Sequence, residues 1–87
     1  MGVLVSEPSS QATTTTADRL RRLWTVILDE DDIAPNADFF DLGGNSFLAM
    51  DLMSMVRAEF GVELGIVTLF AHSTLDALAT QIDPRLR

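Results

Sequence analysis

The chain has 87 residues, with thirteen acidic side chains, six basic side chains that are all arginine, and a net charge of −7. This length allows one domain with a modest hydrophobic core, and the absence of cysteine excludes a disulfide framework and a thiolate metal site. The negative charge disfavours nucleic acid and anionic membrane lipids as partners, and it favours a partner protein with a basic surface.

The amino-terminal residues 1–15 are rich in Ser, Thr and Gln and have no apolar periodicity. They contain no signal peptide, and no later segment is long enough to span a bilayer. We therefore expect a disordered leader or linker over residues 1–15, a folded domain over 16–83 and a C-terminal tail over 84–87. We also expect a cytoplasmic protein without a membrane partner.

The spacing of apolar residues predicts a first helix that starts at Thr16 and frays by about Glu30. Thr15 or Thr16 is the expected N-cap. A loop of roughly fifteen residues follows, which is long for so small a domain. The side chains expected to face the core are Leu20, Leu23, Trp24, Ile27 and Leu28 of the helix, and Phe39, Phe40 and Leu42 of the loop.

Apolar residues recur at every fourth position from Ser46 to Phe60, which predicts a second helix ended by Gly61. A short helix from Ile66 to Phe70 is expected next. A last helix, capped by Ser73 or Thr74, should end at Pro84. The pattern predicts an all-α fold, a small four-helix bundle of three main helices and one short helix.

The segment DLGGNSFLAM, residues 41–50, places Ser46 in the first turn of the second helix. A phosphate ester is stabilised there by unpaired backbone amides and by the helix dipole. Gly43 and Gly44 permit positive φ angles and remove side-chain bulk, so that a large partner can approach the hydroxyl. Asn45 can adopt a positive φ or cap the helix. A simpler interpretation is a loop end with a capping serine, and the pattern leaves it open.

A helical wheel places two large apolar side chains, Phe47 and Met50, beside Ser46 and opposite the core face. Clustered exposed apolar groups indicate a docking surface. Ordinary scatter of exposed hydrophobic residues is the alternative.

Two other kinds of site fit the sequence poorly. The acidic segment DEDDIAPNADFFD has Ala34 where a calcium loop needs glycine, and Ile33 interrupts the alternating ligands. A hydrolytic nucleophile at Ser46 would be expected in a G-x-S-x-G motif after a strand. The second glycine of that motif is missing here, and no strand is predicted before Ser46. His72 is the one candidate base, and we expect it to be structural or merely exposed. We therefore expect no metal site and no catalytic residue.

The run FFDLGGNSFLAMDLMSMVRAEFGVELGIVTLFAHSTLDALATQI resembles the phosphopantetheine-carrying acyl and peptidyl carrier proteins. LGGNS is closer to the LGG[HD]S of peptidyl carriers than to the DSL of fatty-acid carriers. The resemblance covers about Ala17 to Ile82. It implies that a phosphopantetheinyl transferase moves 4′-phosphopantetheine from coenzyme A to Ser46, beside Gly44 and Asn45.

The resemblance also implies that the second helix and the short helix form the partner surface. The added thiol would carry an aminoacyl or acyl group as a thioester between adenylating, condensing or other acyl-processing enzymes. We expect the carrier itself to be monomeric and to have no catalytic activity. It would act in nonribosomal peptide synthesis, a branch of secondary metabolism that produces antibiotics among other compounds.

The sequence departs from the pattern of peptidyl carriers at three positions. Asp51 and Val67 stand where these carriers often have basic or polar residues, and Gly65 stands where they often have proline. We therefore predict a docking face that is more apolar than usual. Its residues would be Phe47, Met50, Ile66 and Val67.

Two alternative functions remain at this point. One is an acyl carrier of polyketide or fatty-acid type, and the other is an unmodified helical adaptor that keeps the carrier fold. The Met1 start and the end shortly after the last helix favour a free-standing (type II) carrier. The Ser/Thr-rich leader resembles an intermodular linker, which keeps an excised domain possible.

Overall fold

The computed structural model describes residues 15–86. This part of the chain contains four α-helices: α1 (Thr16–Leu28), α2 (Ser46–Phe60), α3 (Ile66–Ala71) and α4 (Leu75–Ile82). A short 3₁₀ turn, Asp83–Arg85, follows α4. Over these residues the predicted all-α fold of three main helices and one short helix is confirmed. The one β-type contact in the same range is an isolated bridge between Asp38 and Thr74.

Side-chain caps set the starts of the three longer helices. Thr15 caps α1 in a capping box, in which its hydroxyl accepts the amide of Asp18 and the Asp18 carboxylate accepts the amide of Thr15. Asn45 caps α2 and Thr74 caps α4. The predicted leader over 1–15 lies outside the described residues except for Thr15, which belongs to the folded part as a cap.

The carboxyl ends of the helices differ in part from the prediction. Helix α1 ends at Leu28, before the predicted Glu30, because Asp29 adopts the left-handed conformation with φ 55° and donates its amide to the carbonyl of Thr25. Gly61 ends α2 in the same left-handed backbone conformation, with φ 69°, as predicted.

The last helix ends just before Pro84, as predicted. Helix α4 stops at Ile82, and Pro84 lies inside the 3₁₀ turn that follows. Leu86 then packs against the core, so that the folded part extends beyond residue 83.

One hydrophobic core lies between α1, α2 and α4, and α3 covers one side of it. Burial of each large apolar side chain contributes about 1.5–3 kcal/mol to folding. The Phe39 ring reaches this core from the long loop and meets the Trp24 ring edge-on, with 5.2 Å between ring centroids. Fully buried side chains include Leu20, Trp24, Phe39, Leu52, Val56, Leu69, Leu75, Leu78 and Ile82.

Hydrogen bonds and a cation–π contact join the start of α1 to the end of α2. The Arg19 side chain donates to the carboxylate and to the backbone carbonyl of Glu59, each at 3.0 Å, and its guanidinium lies 4.4 Å from the centre of the Phe60 ring. The start of α1 therefore lies beside the end of α2, and Ser46 lies at the opposite end of α2 from this contact. No helix of the described part is long and apolar enough to cross a membrane.

Candidate functional site

Ser46 is the first residue of α2, and its side chain is exposed. The capping role belongs to its neighbour: the Asn45 side chain accepts the amide of Leu48 at 3.0 Å, and the Asn45 carbonyl accepts the amide of Ala49 at 2.8 Å. The amides of Ser46 and Phe47 come earlier in the first turn, where no intrahelical acceptor exists. The Ser46 hydroxyl is therefore not needed as a cap, and it lies beside amides that suit an anion.

The two glycines before Ser46 have different roles. Gly43 has φ 102°, and a Cβ built there would meet nothing within 4 Å. Gly44 has an ordinary φ, but a Cβ would lie 2.4 Å from the ring of Phe39 and 2.6 Å from its carbonyl oxygen. Glycine at 43 thus supplies the turn, and glycine at 44 supplies close packing. Asn45 is extended, with φ −147°, and so does not use the positive φ that the sequence allowed.

Large apolar side chains are exposed on α2 and α3. Phe47 is 81% exposed, Met50 61% and Val67 74%. Ile66, which was predicted with them, is partly buried and packs against the core. Phe70 is 53% exposed and lies one turn after Val67. We call the four exposed side chains the apolar face: Phe47, Met50, Val67 and Phe70.

Phe70 joins the apolar face to the loop that precedes Ser46. Its ring stacks on the ring of Phe40, with 5.2 Å between centroids and 13° between planes. The sequence analysis did not select Phe70 as a site residue, although its spacing of three from Val67 places both on one side of α3.

The sequence analysis also missed Asp38, whose carboxylate orders the second half of the same loop. It accepts the amides of Phe40 and Asp41 and the hydroxyl of Ser73. These hydrogen bonds, that from Ser73 above all, hold the pKa of Asp38 below its ordinary value. Asp38 begins the segment DFFD just before the glycines, and a carboxylate that precedes a turn is a common signal for an Asx turn.

A second feature lies farther along α2. An open groove of about 370 Å³ is lined by Met53, Ser54, Arg57, Glu63, Leu64 and Gly65. Arg57 and Glu63 form an exposed ion pair across it at 3.5 Å. Over residues 15–86, no group of three or more His, Asp or Glu side chains is placed to hold a metal ion.

Comparison with known proteins decides the family. The model of a family described as "phosphopantetheine attachment site" matches residues 18–82, which include Ser46 and all of α2, α3 and α4. The chain belongs to this family. The group that such carrier domains hold is 4′-phosphopantetheine.

The proteins that this carrier domain resembles include large synthetases, and the domain matches a small part of each. The domain is 38% identical over 85 residues to the hybrid PKS-NRPS synthetase gkaA of Penicillium citrinum, covering 92% of the domain and 2% of that protein. It is 41% identical over 69 residues to a linear gramicidin synthase polypeptide of Brevibacillus parabrevis, covering 79% of the domain and 1% of that protein. Since the chain spans so little of either relative, its free-standing character stays a prediction.

A solved structure gives the same assignment. The carrier domain is similar to a chain in the structure of the phosphopantetheine transferase Sfp in complex with coenzyme A and a peptidyl carrier protein. The TM-score is 0.80 and the sequence identity 33%, with 84% of this domain and 95% of that chain covered. The domain is thus a peptidyl carrier in fold and family.

The residues around Ser46 fit a phosphopantetheine group. The hydroxyl is exposed, the first two amides of α2 lie beside it, and the space next to Gly43 is open. A phosphodiester on Ser46 would therefore carry its negative charge at the positive end of α2.

Proposed function

We propose that the Ser46 hydroxyl is the attachment point of 4′-phosphopantetheine, and that the loaded domain carries an aminoacyl group between enzymes of nonribosomal peptide synthesis. The observation that carries the proposal is that Asn45, and not Ser46, caps the start of α2. Asn45 caps the helix, which leaves the exposed Ser46 hydroxyl and the first two amides available to a phosphate.

The attachment step needs only an accessible hydroxyl from this chain. The Ser46 oxygen forms a bond to the phosphorus that bears the pantetheine, the pyrophosphate bond of coenzyme A breaks, and adenosine 3′,5′-bisphosphate leaves. The proton of the hydroxyl passes to a base of the transferase. The product is a phosphodiester whose charge is stabilised by the amino-terminal end of α2, by about 0.3–1 kcal/mol at an exposed position.

The attached group supplies a thiol, which this cysteine-free chain lacks, and the thiol holds the cargo as a thioester. The chain contributes presentation: tethering keeps the cargo at a high effective concentration near each docked enzyme. The carrier therefore needs no catalytic residue of its own, and we assign none.

The apolar face is the proposed contact for the transferase and for adenylating and condensing enzymes. Its four side chains are exposed on α2, which Ser46 begins, and on α3, and exposed aromatic residues are common anchors of protein interfaces. Asp41 and Asp51 are also exposed near Ser46 and favour a partner with a basic rim.

The proposal includes a monomeric state, because each partner must reach the same face in turn, and a cytoplasmic location, because the donor coenzyme A is an intracellular cofactor. Light scattering of the purified domain checks the first statement. A dimer that covers the apolar face would contradict it.

Aminoacyl loading tests the carrier function. The domain is first incubated with coenzyme A and a broad-specificity transferase, and then offered to an amino-acid adenylating enzyme with ATP or to a malonyl transferase with malonyl coenzyme A. We expect an aminoacyl thioester that hydroxylamine removes, and little malonyl loading. Preferential malonyl loading would identify an acyl carrier instead. An unmodified protein after both incubations would favour a helical adaptor.

A further inference from the structure

The Asp38 carboxylate joins two segments that are far apart in the sequence. One of its oxygens accepts the backbone amides of Phe40 at 2.8 Å and Asp41 at 3.2 Å. The other oxygen accepts the hydroxyl of Ser73 at 2.6 Å. Since hydrogen bonds to an ionised acceptor are roughly twice as strong as neutral ones, this carboxylate ties the loop before Ser46 to the turn between α3 and α4.

Backbone hydrogen bonds reinforce the same junction. The amide of Phe39 donates to the carbonyl of Ser73 at 2.8 Å, and the amide of Leu75 donates to the carbonyl of Ala37 at 3.1 Å. We call the Asp38–Ser73 side-chain bond, together with these two backbone bonds, the Asp38 clasp. Within the clasp, the side-chain bond is the part that a substitution can remove without altering the backbone.

A chain of turns runs from the clasp to Ser46. The carbonyl of Asp38 accepts the amide of Leu42 at 3.1 Å, and the carbonyl of Phe40 accepts the amide of Gly43 at 3.1 Å. Gly44 then bonds to Phe39, and the next residue caps α2. The position of Asp38 therefore sets the path of the loop that ends at Ser46.

The other side of the clasp holds α3. This helix has six residues and no side-chain cap at Gly65, and so short a helix is unstable by itself in water. Its position depends on packing and on its ends. The clasp fixes the turn just after α3, and the stacked rings of Phe40 and Phe70 hold the helix against the loop.

We propose that Asp38 and Ser73 are positioning residues for the modification of Ser46, because the clasp holds the Ser46 loop and the α3 half of the apolar face in one fixed arrangement. The proposal rests on the proposed function. A partner that contacts Ser46 and α3 together needs both at a set distance, and neither Asp38 nor Ser73 has to touch the partner. When the clasp is open, only a fraction of the molecules is ready to bind, and the apparent affinity falls by that fraction.

Transferase kinetics on the full chain in its unmodified form test this role. Ser73→Ala removes the hydroxyl but leaves the Asp38 bonds to Phe40 and Asp41. We expect the KM for the carrier to rise roughly fivefold to tenfold, with kcat within about twofold of wild type, because opening the clasp reduces the competent fraction and not the chemistry. Ser73→Thr keeps the hydroxyl and should restore a KM near that of wild type.

Thr15→Ala is the matched control. It removes the cap of α1, whose hydrogen bonds stay within that helix, at a stability cost similar to the loss of one hydrogen bond. Circular dichroism confirms that each variant is folded at the assay temperature. Under the proposal Thr15→Ala leaves the KM unchanged, and Asp38→Ala combined with Ser73→Ala raises it no further than Asp38→Ala does alone.

The outcomes separate this inference from the proposed function. If wild type is loaded but Ser73→Ala has the same KM, or if Thr15→Ala raises the KM equally, Asp38 and Ser73 are structural only and the inference is wrong. If wild type is not loaded at all, the proposed function fails and the inference fails with it. Should Asp38→Ala be unfolded, the comparison of Ser73→Ala with Ser73→Thr still decides the question.

Discussion

The amide of Gly44 donates to the carbonyl of Phe39 at 2.9 Å, and the ring of Phe39 occupies the space that a side chain at position 44 would need. Phe39 is fully buried and also meets Trp24. The loop before Ser46 is therefore attached directly to the hydrophobic core, and its shape depends on the absence of a single methyl group.

This contact makes Gly44→Ala the most informative glycine substitution. The added methyl group would clash with Phe39, and such overpacking typically lowers the free energy of unfolding by about 1–3 kcal/mol. Gly65→Ala is the matched control, because Gly65 has a negative φ and open space around its Cα. Urea unfolding followed by the fluorescence of Trp24 measures both. Equal stability of the two variants would contradict the packing that we describe.

The apolar face predicts that Phe47→Ala and Met50→Ala slow loading without loss of stability. Truncation of an interface anchor commonly costs more than about 1 kcal/mol of binding, which corresponds to roughly a fivefold rise in the KM for the transferase. The free energy of unfolding should change by less than about 0.5 kcal/mol, because both side chains are exposed. Val26→Ala, which alters an apolar residue 69% exposed on α1, is the control. Unchanged loading kinetics in both variants would remove these residues from the docking surface.

Asn45 caps α2 and Ser46 does not, so substitutions at the two positions should have different effects on the free energy of unfolding. Asn45→Ala should lower the free energy of unfolding by about 1 kcal/mol, because the amide of Leu48 loses its acceptor. Asn45→Asp should keep the cap and restore the stability. Ser46→Ala should leave the stability nearly unchanged, since its hydroxyl is exposed and does not cap the helix. A larger loss for Ser46→Ala than for Asn45→Ala would show that the serine is the structural residue.

The lowered pKa of Asp38 predicts how the clasp responds to acid. Its folded-state pKa lies below the ordinary value of 3.8, chiefly through the hydrogen bond from Ser73. The ionised carboxylate therefore stabilises the fold fully above the unfolded-state pKa, and this contribution is lost as the pH falls through the folded-state pKa. Asp38→Asn should be less stable than wild type at pH 7, and the difference should shrink below about pH 4. A difference that stays constant from about pH 7 to about pH 2.5 would contradict the assignment.

The helices of this domain were predictable because their signals are local. The four-residue recurrence from Leu48 to Phe60, the cap residues before α2 and α4, and Gly61 each depend on neighbours within one or two turns. The charge run after Leu28 predicted the end of α1 to within about two residues, but it gives no indication that Asp29 adopts a left-handed conformation.

The contacts that shape the site were harder to predict, because they join residues far apart in the sequence. Ser73 was considered as a cap for α4, but the structure gives that role to Thr74 and pairs Ser73 with Asp38, 35 residues away. Phe70 was not selected because its stacking partner Phe40 lies in the loop. Periodicity indicates which side of a helix is apolar, and it does not indicate which loop covers that side.

The central claim is that Ser46 carries the arm, and intact mass spectrometry tests it most directly. Wild type, Ser46→Ala and the control Ser54→Ala, which alters another exposed serine of α2, are incubated with coenzyme A and a broad-specificity transferase. We predict that wild type and Ser54→Ala each gain one phosphopantetheine, and that Ser46→Ala gains none. A gain in Ser46→Ala, or no gain in wild type, would contradict the assignment of Ser46 as the attachment site.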